Sequence, residues 1–439
     1  MKDTRRVRIF VGPVMSRAEG EPPTRDLFEQ FVVWDRGVAC YRADNTFYTG
    51  LLDEVAAAIR VQNIAIEIFD ERPAISSRSW TLHGVAPRDY QERVADHLVK
   101  RRLTLAKLPS AAGKSVAALT AIARSGARRV LFLVDRLDLA FQFEDVVRRH
   151  LEIAPGFVGA GRFEIDAPLV IACVDSALTR ELGDFDLTIV DECHMAGAGG
   201  CFRLVEKIAS PLRLGLSATP FRSNREEDLL LRSLFGAPVE LATLDELERG
   251  GFVSRPVLRV VPVKARPLEL TLVWRELEEA LVDCRERNDL IVRESMALAD
   301  TGHNVLVLVR LIRHGEKLAG RFASAGRIVP LVTGAMNAAR RHDLVGRFRD
   351  GRGGILVSSE VLAVGVDVPS LGAIVLACGM HAKVATLQKV GRAMRASPGG
   401  APLVKRVIDF DDDLHPTLAR HAMTRRKWLR EVLGLREEP

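Results

Sequence analysis

The sequence has no long hydrophobic run. Its 439 residues contain no uncharged apolar stretch of about 18 residues, the length a membrane-spanning helix needs. Its first residues, MKDTRRVRIFVGP, are charged and lack the apolar stretch of a signal peptide. Cysteine is also scarce, and the six cysteines are scattered without a C-x-x-C pair. We therefore expect no membrane segment, zinc site or disulfide framework, and a reducing cytoplasm as the setting.

Length and charge allow several functions. The chain is too long for one ordinary core, so two or three domains are expected, and the hydrophobic share of 47% is enough to build them. The net charge of +6 and the pI near 9.1 permit a polyanionic partner such as nucleic acid but do not establish one. No low-complexity tract or short-period repeat is present.

The pattern of apolar and polar residues changes after about residue 80. Residues 1–80 predict a small α+β accessory domain, with strands at Phe31 to Trp34 and Ile64 to Ile68 and a helix at Asp53 to Arg60. This part carries no catalytic motif. The first residues are basic and include Lys2, Arg5, Arg6 and Arg8. They could contact duplex DNA, or they could form a solvated chain end.

The rest of the chain alternates continuous apolar runs with helical segments, in two series. Strands buried on both faces and separated by helices are typical of parallel α/β sheets. We predict one such domain over residues 81–255 and a second over residues 256–439, on either side of a more polar stretch near residues 245–267. The predicted strands are Val130 to Val134, Leu169 to Ala172, Leu187 to Val190, Asn304 to Val309, Ile328 to Leu331, Ile355 to Val357 and Ala373 to Ala377.

A phosphate-binding loop is predicted between Leu108 and the helix Val116 to Ala123. A strand, a tight loop, Gly-Lys-Ser and a helix cradle phosphates with backbone N–H groups and the helix N-terminus. Lys114 would reach the terminal phosphates and Ser115 would bind magnesium. The loop departs from the strict pattern at Leu108 and Ala111, where glycines are usual. Its residues are Ser110, Ala111, Ala112, Gly113, Lys114 and Ser115.

Two carboxylates follow the apolar run Leu187 to Val190. Asp191 and Glu192 therefore lie at the carboxyl end of a predicted strand, where ligands bind in open α/β sheets. Asp191 can hold magnesium, and Glu192 can orient and deprotonate the water that attacks the γ-phosphate of ATP. The alternative is that the two acids begin a solvated loop. A buried strand and an upstream Gly-Lys-Ser favour the catalytic interpretation.

Together with further motifs in the same order, these residues resemble superfamily 2 helicases. Arg88-Asp89-Tyr90-Gln91 matches the family's R-x-Y-Q element, whose glutamine binds adenine, and the loop beginning at Leu108 has the form found in the XPB-like and UvsW-like branches. Asp191 to His194 is a DECH box. Ser217-Ala218-Thr219 matches the S-A-T motif, so the resemblance assigns Ser217 and Thr219 to coupling hydrolysis to movement.

The second series supplies the remaining motifs. Val357 to Asp367 resembles motif V, which implies that Ser359 contacts the nucleic-acid backbone and that Gly365 and Asp367 face the nucleotide. Residues 388–395 fit Q-x-x-G-R-x-x-R, motif VI, which implies a coupling role for Gln388 and arginine fingers at Arg392 and Arg395. The resemblance covers about residues 85 to 410. It implies two tandem RecA-like domains, ATP and Mg²⁺ as cofactors, and a nucleotide bound where both domains contribute.

Other residues match the family's nucleic-acid contacts by position alone. Each has an alternative as a helix cap or turn residue, and contacts of this kind bind the backbone without reading sequence. They are Arg136 and Gln142 of motif Ia, Asp175 and Ser176 of motif Ib, Arg310 after the motif IV strand, and Thr333 and Gly334 after the next strand.

The choice between DNA and RNA rests on resemblance. Residues 191–222 and Gly251-Phe252-Val253 are similar to the DNA-acting XPB-like, UvsW-like and restriction-translocase branches. This implies a compact phage-type helicase of a bacterial or phage-infected cell, which unwinds or migrates branched DNA, with 3′-to-5′ polarity. Two alternatives remain open: an RNA helicase, and a duplex-DNA translocase of a restriction or defence complex. A third, a catalytically dead DNA-binding scaffold, is disfavoured by the intact motif residues Lys114, Asp191, Glu192, Arg392 and Arg395. The oligomeric state is undetermined, and a monomer is compatible with the sequence.

Overall fold

A computed structural model describes most of the chain. The described residues are 6–20, 31–33, 38–75, 77–109, 112–197, 199–220, 225–253, 255–350, 354–359, 371–379 and 405–438. The chain divides between Thr243 and Leu244 into two compact units. The domain limits expected from sequence, after residues 80 and 255, stay predictions.

The first elements form a small α+β layer, here called the N-terminal module. Its sheet has the order β5-β2-β1-β6, in which only the β1–β6 pair is parallel. Alternate residues of β1 are buried, while Arg6 and Arg8 point outward, so these two arginines are strand residues rather than a solvated chain end. The elements are β1 (Arg6–Val11), β2 (Met15–Gly20), β3 (Val32–Val33), β4 (Val38–Ala39), β5 (Thr46–Tyr48), a 3-10 helix (Thr49–Leu51), α1 (Leu52–Val61) and β6 (Ala65–Asp70).

The first large sheet has eight strands in the order β10-β9-β11-β8-β12-β13-β7-β14. All pairs are parallel except β9–β10. The elements of this region are α2 (Asp89–Arg101), β7 (Leu103–Lys107), α3 (Lys114–Ser125), β8 (Val130–Val134), α4 (Leu137–His150), β9 (Gly156–Gly159), β10 (Arg162–Phe163), β11 (Leu169–Cys173), α5 (Val174–Ala177), β12 (Leu187–Asp191), a 3-10 helix (Cys193–Gly197), α6 (Gly199–Ile208), β13 (Leu212–Ser217), α7 (Arg225–Phe235) and β14 (Pro238–Glu240).

One hydrophobic core joins the N-terminal module to this sheet. Val7, Ile9 and Ile59 of the module belong to the same buried cluster as Leu131 of β8 and Leu234 of α7. Helices cover the parallel strands, so β8 and β11 are buried along their whole length. That double coverage explains why these strands are continuous apolar runs in the sequence.

The second unit contains a seven-stranded, entirely parallel sheet with the order β17-β18-β16-β19-β20-β15-β21. The expected pair of parallel α/β sheets with a small α+β part is therefore confirmed. The elements are α8 (Leu244–Arg249), β15 (Val257–Pro262), α9 (Trp274–Asp283), α10 (Arg285–Asp300), β16 (Asn304–Val309), α11 (Ile312–Ser324), β17 (Leu331–Val332), α12 (Ala338–Asp350), β18 (Ile355–Ser359), β19 (Leu371–Leu376), β20 (Arg406–Asp411), α13 (Pro416–Leu433) and β21 (Arg436–Glu437).

One sequence expectation for this unit was wrong. The strand expected at Ile328 to Leu331 is only β17, and Ile328 is 94% exposed. Pro330 lacks an N–H group, so the residues leading into it do not extend the ladder. The polar stretch near residues 245–267 also contains a strand that was not predicted, β15, which lies between β20 and β21.

Two further properties concern the described helices and the cysteines. Among the described helices, none has both the length and the apolar character needed to cross a lipid bilayer. All six cysteines are described, and each is a free thiol.

Candidate functional site

Three neighbouring strands of the first sheet end at the same edge. In the parallel register Ser217 of β13 lies beside Lys107 of β7, and Asp191 of β12 lies beside Leu216. The phosphate loop follows β7, the acidic pair ends β12, and the S-A-T motif ends β13. Parallel pairing therefore brings together three motifs that are far apart in the sequence.

The phosphate loop ends at Gly113, which precedes α3. Gly113 has φ +74°, a left-handed conformation that glycine adopts without strain. No side chain caps the start of α3, so its first N–H groups are of the kind that bind phosphate at helix N-termini. Ala112 is fully buried, whereas Ser110 and Ala111 lie outside the described residues.

Gln91 is held between α2 and the phosphate loop. Its Nε2 donates to the carbonyl oxygen of Gly113 (3.2 Å), and its Oε1 accepts from the backbone N–H of Arg88 (2.9 Å). The guanidinium of Arg88 donates to the hydroxyl of Tyr90 (2.7 Å). A Cβ atom at position 113 would lie 2.8 Å from Gln91 Nε2, so this contact also favours glycine there. The adenine-binding roles of Arg88 and Gln91 stay predictions.

Lys114, at the start of α3, forms an ion pair with Glu192, and its Nζ lies 3.9 Å from Asp191 Oδ1. Burial opposes the charge of the ammonium group, but the two carboxylates outweigh burial and raise the pKa of Lys114. Burial also raises the pKa of Asp191. For Glu192, burial is outweighed by Lys114 and His194, so its pKa is lowered. Glu192 is therefore an ionised carboxylate that can act as a base.

Glu192 has an unusual backbone conformation. Its φ is +48°, a left-handed value that is uncommon for a residue with a side chain. Its N–H donates to Asp191 Oδ1 (3.0 Å), and its carbonyl accepts from the N–H of Met195 (3.1 Å) within the 3-10 helix. Backbone strain of this kind concentrates at functional sites. Here it marks the tight turn that leads out of β12.

His194 connects the acidic pair to the S-A-T motif. Its Nδ1 lies 3.4 Å from Glu192 Oε2 and 3.4 Å from Ser217 Oγ, and that hydroxyl accepts from the N–H of Thr219 (3.1 Å). In the sequence His194 belongs to the DECH box and to the resemblance to the DNA-acting branches, and no chemical role was predicted for it. The signal was a histidine two residues after Glu192, but its partner Ser217 is identified only by the packing of β12 against β13.

The magnesium assignment is compatible with these side chains. No group of three or more His, Cys, Asp and Glu side chains that could hold a metal lies within the described ranges. Mg²⁺ usually needs only one or two protein ligands, because water and substrate phosphates complete its shell. Ser115 and Asp191, at the loop end of α3 and the end of β12, are a donor set of that kind.

The candidate nucleic-acid residues of the first unit follow the next two strands along the same edge, β8 and β11. Arg136 precedes α4, and its Nε pairs with Asp138 (3.0 Å). Gln142 of α4 and Asp175 of α5 are exposed, and Ser176 is half-buried. The edge therefore carries the candidate ATP site at the ends of β7, β13 and β12. The candidate nucleic-acid contacts, here called the DNA track, lie at the ends of β8 and β11.

The second unit brings its own candidates together in the same way. β17, β18 and β16 are neighbours, and Thr333, Ser359 and Arg310 lie at their carboxyl ends. Arg310 forms an ion pair with Glu278, and Ser359 is buried. Gly334 is exposed in the turn after β17. Five candidates of the second unit fall outside the described residues, namely Gly365, Asp367, Gln388, Arg392 and Arg395.

Comparison with known protein families identifies the chain. Residues 84–222 match the family described as "Type III restriction enzyme, res subunit", and residues 286–397 match "Helicase conserved C-terminal domain". Together the two matches cover more than half of the sequence, and they fall on the two sheets described above. The chain belongs to helicase superfamily 2. As a superfamily 2 helicase it is an ATP-hydrolysing enzyme built on two RecA-like domains.

Individual relatives support this assignment. The helicase is 26% identical over 364 residues to the "DNA 3'-5' translocase XPB2" of Sulfurisphaera tokodaii, covering 73% of this chain and 81% of that protein. It is 25% identical over 351 residues to the "ATP-dependent DNA helicase uvsW" of phage T4, covering 75% and 69%. The structure of S. cerevisiae Dbp5 bound to RNA and ADP BeF3 shares the fold, with a TM-score of 0.57, 18% identity and coverage of 80% and 90%.

Proposed function

We propose that this helicase is a DNA motor that couples ATP hydrolysis to sequence-independent movement along DNA and to unwinding or branch migration of DNA junctions. The observation that carries the proposal is the cluster of Lys114, Asp191 and Glu192 at the carboxyl edge of the first sheet. DNA as the substrate is supported by the two relatives, which are named as a DNA translocase and a DNA helicase. One of these relatives, XPB2, is named as a 3′-to-5′ translocase, and its name supports the same polarity for this helicase.

ATP turnover follows from the chemistry of the cluster. Lys114 and the N–H groups at the start of α3 bind the terminal phosphates. Glu192, ionised at neutral pH, orients the attacking water and accepts its proton. Ser115 and Asp191 would hold Mg²⁺, whose charge offsets that of the phosphates. Arg392 and Arg395 are proposed to stabilise the charge on the transferring phosphoryl group.

Coupling to movement is assigned to the residues around His194. A change in the hydrogen bonds of Glu192 on hydrolysis reaches Ser217 through His194, and reaches Thr219 through the hydroxyl of Ser217. The backbone N–H of Leu108, at the start of the phosphate loop, also bonds to the carbonyl of Ser217 (2.9 Å). Ser217 therefore contacts the start of the phosphate loop directly and is linked to Glu192 through His194, which suits a residue that transmits the state of the nucleotide.

DNA binding is assigned to the strand ends that carry no ATP residues. In the first unit these are the ends of β8 and β11, with Arg136, Gln142, Asp175 and Ser176. In the second unit the proposed contacts are Arg310, Thr333, Gly334 and Ser359. Cations, hydroxyls and backbone N–H groups at such positions hold phosphates without reading bases. The proposed motor is therefore indifferent to the sequence of the DNA.

A second candidate is a translocase that moves on duplex DNA without separating its strands. The match to the restriction-enzyme family over residues 84–222 favours it. An RNA helicase is a third outcome. All three share the same ATP site, so only the substrate separates them.

The decisive experiment compares ATPase and strand-separation activity on forks, Holliday junctions, R-loops, linear duplexes and RNA hairpins. We expect the greatest ATPase stimulation from branched DNA, together with loss of the branched species. ATPase stimulation by plain duplex without strand separation would favour the translocase. Stimulation by RNA alone would contradict the DNA assignment.

A further inference from the structure

The N-terminal module is packed against the two helices that follow the catalytic motifs of the first unit. Helix α6 comes after the DECH box, and α7 comes after the S-A-T motif. α7 packs both against the module's 3-10 helix, Thr49–Leu51, and against the 3-10 helix Cys193–Gly197, which contains His194. One helix thus contacts both the module and the turn that follows the proposed base, Glu192.

The contact between the module and α7 is close. A Cβ atom at Gly50 would overlap the carbonyl oxygens of Arg232 and Ser233 in α7, so only glycine allows the two backbones to approach this far. Beside it, Glu54 of α1 pairs with Arg232 at 2.5 Å, and both side chains are about three-quarters buried. Close backbone packing and a largely buried ion pair fix the position of α7 relative to the module.

The contact with α6 is also specific. The hydroxyl of Tyr48 donates a hydrogen bond to Glu206, and the Tyr48 ring packs edge-on against Phe202, with ring centroids 5.4 Å apart. Tyr48 is 2% exposed. Since Phe202 and Glu206 are one turn apart on α6, a single side chain of the module holds one face of that helix.

The same core continues to the catalytic turn. Cys193 and Ala196 of the 3-10 helix belong to one buried cluster with Leu51, Val55 and Leu230. Cys193 is packed against Gly215 of β13, where an added Cβ atom would lie 3.0 Å from the thiol sulfur. Close-packed interiors transmit small displacements, so a shift of α7 would reach the turn that sets the strained backbone of Glu192.

We propose that Tyr48, Gly50 and Glu54 are positioning residues for ATP hydrolysis, acting through α6 and α7 on the turn that carries Glu192 and His194. The N-terminal module is then a fixed part of the motor, and its contacts set the rate of turnover. The proposal rests on the proposed role of Glu192 as the base. It requires no DNA contact by the module.

Two variants test the proposal. Tyr48→Phe removes the hydrogen bond to Glu206 and keeps the ring, and Gly50→Ala inserts a methyl group between the module and α7. Misplacing a base by a fraction of an ångström lowers turnover with little effect on substrate binding. We therefore expect kcat to fall about tenfold and KM for ATP to change less than about twofold. Val61→Thr, at an 81% exposed position of the same module, is the matched control and keeps the wild-type values.

Exchanging the two charges of the Glu54–Arg232 ion pair distinguishes a positioning role from a loss of folding. Glu54→Arg and Arg232→Glu each place like charges together, and the double variant restores the opposite charges. Rescue of kcat by the double variant supports positioning. ATPase must be normalised to folded protein, measured by circular dichroism and Tm, because Gly50→Ala could destabilise the fold.

The outcomes are distinct. Wild-type kcat per folded molecule in both Tyr48→Phe and Gly50→Ala would overturn the positioning proposal and leave the ATPase assignment intact. Absence of ATP turnover in the wild type would sink both proposals. A decrease in kcat and Tm without rescue by the exchanged pair would also count against positioning, since a purely structural role predicts that pattern.

Discussion

Lys114 and Glu192 form an ion pair although 78 positions separate them in the sequence. The cation assigned to the phosphates and the carboxylate assigned to the water are therefore each other's counter-ion. Each raises the proportion of the other's charged form, since the pKa of Lys114 is raised and that of Glu192 is lowered. Phosphate oxygens would compete with Glu192 for Lys114, which would free the carboxylate to bind water.

Replacing Glu192 by Gln should abolish ATP turnover while sparing ATP and DNA binding. The amide keeps the shape of the side chain but cannot accept the proton of the attacking water, and general-base catalysis contributes roughly 10² to 10⁴ in rate. ATPase assays and nucleotide titrations on the same protein check both parts. Unchanged turnover would contradict the assignment of Glu192 as the base.

Replacing Arg136 by Gln should weaken DNA binding equally on all sequences. Arg136 precedes α4, and its side chain is 46% exposed. Loss of one phosphate contact should lower the slope of log affinity against log salt by about 1. Lys427→Gln, at an exposed position of α13, is the control. An unchanged salt slope in Arg136→Gln would remove Arg136 from the proposed DNA track.

Replacing each of two buried arginines by Met should change the free energy of unfolding in opposite directions. Arg287 binds both oxygens of Asp412 (2.6 and 3.1 Å) and the carbonyl of Ala377 (2.9 Å). Arg287→Met would leave Asp412 buried without its cation, which should cost about 3–5 kcal/mol of unfolding free energy. Adding Asp412→Leu should recover most of that loss, as measured by urea denaturation.

Arg213 provides the contrast. It is fully buried in β13, its guanidinium has no hydrogen-bond partner among the described residues, and burial lowers its pKa to about 9. Arg213→Met should therefore raise the unfolding free energy by about 1–3 kcal/mol, because it removes an uncompensated charge from the core. Destabilisation by this variant would show that Arg213 has a favourable partner in solution.

Acid should destabilise the second unit through His314. Burial and the nearby Arg287 lower the pKa of His314 to about 3, and its Nε2 lies 2.8 Å from the amide oxygen of Asn288. A histidine with a lowered pKa binds its proton more readily in the unfolded chain. Stability is therefore lost as pH falls below about 6.5, by up to about 1.4 kcal/mol per pH unit. His314→Gln should flatten this dependence between about pH 6.5 and 3, and an equal slope in both proteins would contradict the prediction.

Much of the fold was predictable because parallel strands covered on both faces are continuous apolar runs. β8 and β16 have the predicted limits, and β12 ends on Asp191 as the sequence suggested. Short or amphipathic strands were less visible. β1 begins among charged residues, and β15 lies in a polar stretch, so neither stood out in the sequence. Ile328 was misread because its apolar side chain is exposed in the segment before Pro330, which cannot donate to a strand ladder.

The candidate ATP site was named from sequence because its motifs are local: Gly113 to Ser115 and Asp191 to Glu192 are contiguous and follow strands. Contacts between distant residues were not visible in this way. The pairing of Arg310 with Glu278 and the position of Gln91 against Gly113 depend on how separate elements pack. The role proposed for Tyr48 depends on a helix more than a hundred residues away.

The sequence by itself determined that this chain is a two-sheet ATPase of the helicase type, since strand periodicity and motif spacing are properties of consecutive residues. Only the tertiary structure decided which side chains meet at the carboxyl edge, that His194 links Glu192 to Ser217, and that the N-terminal module shares a core with the first sheet. Those facts arise from parallel strand order and close packing, which join residues that no local pattern connects.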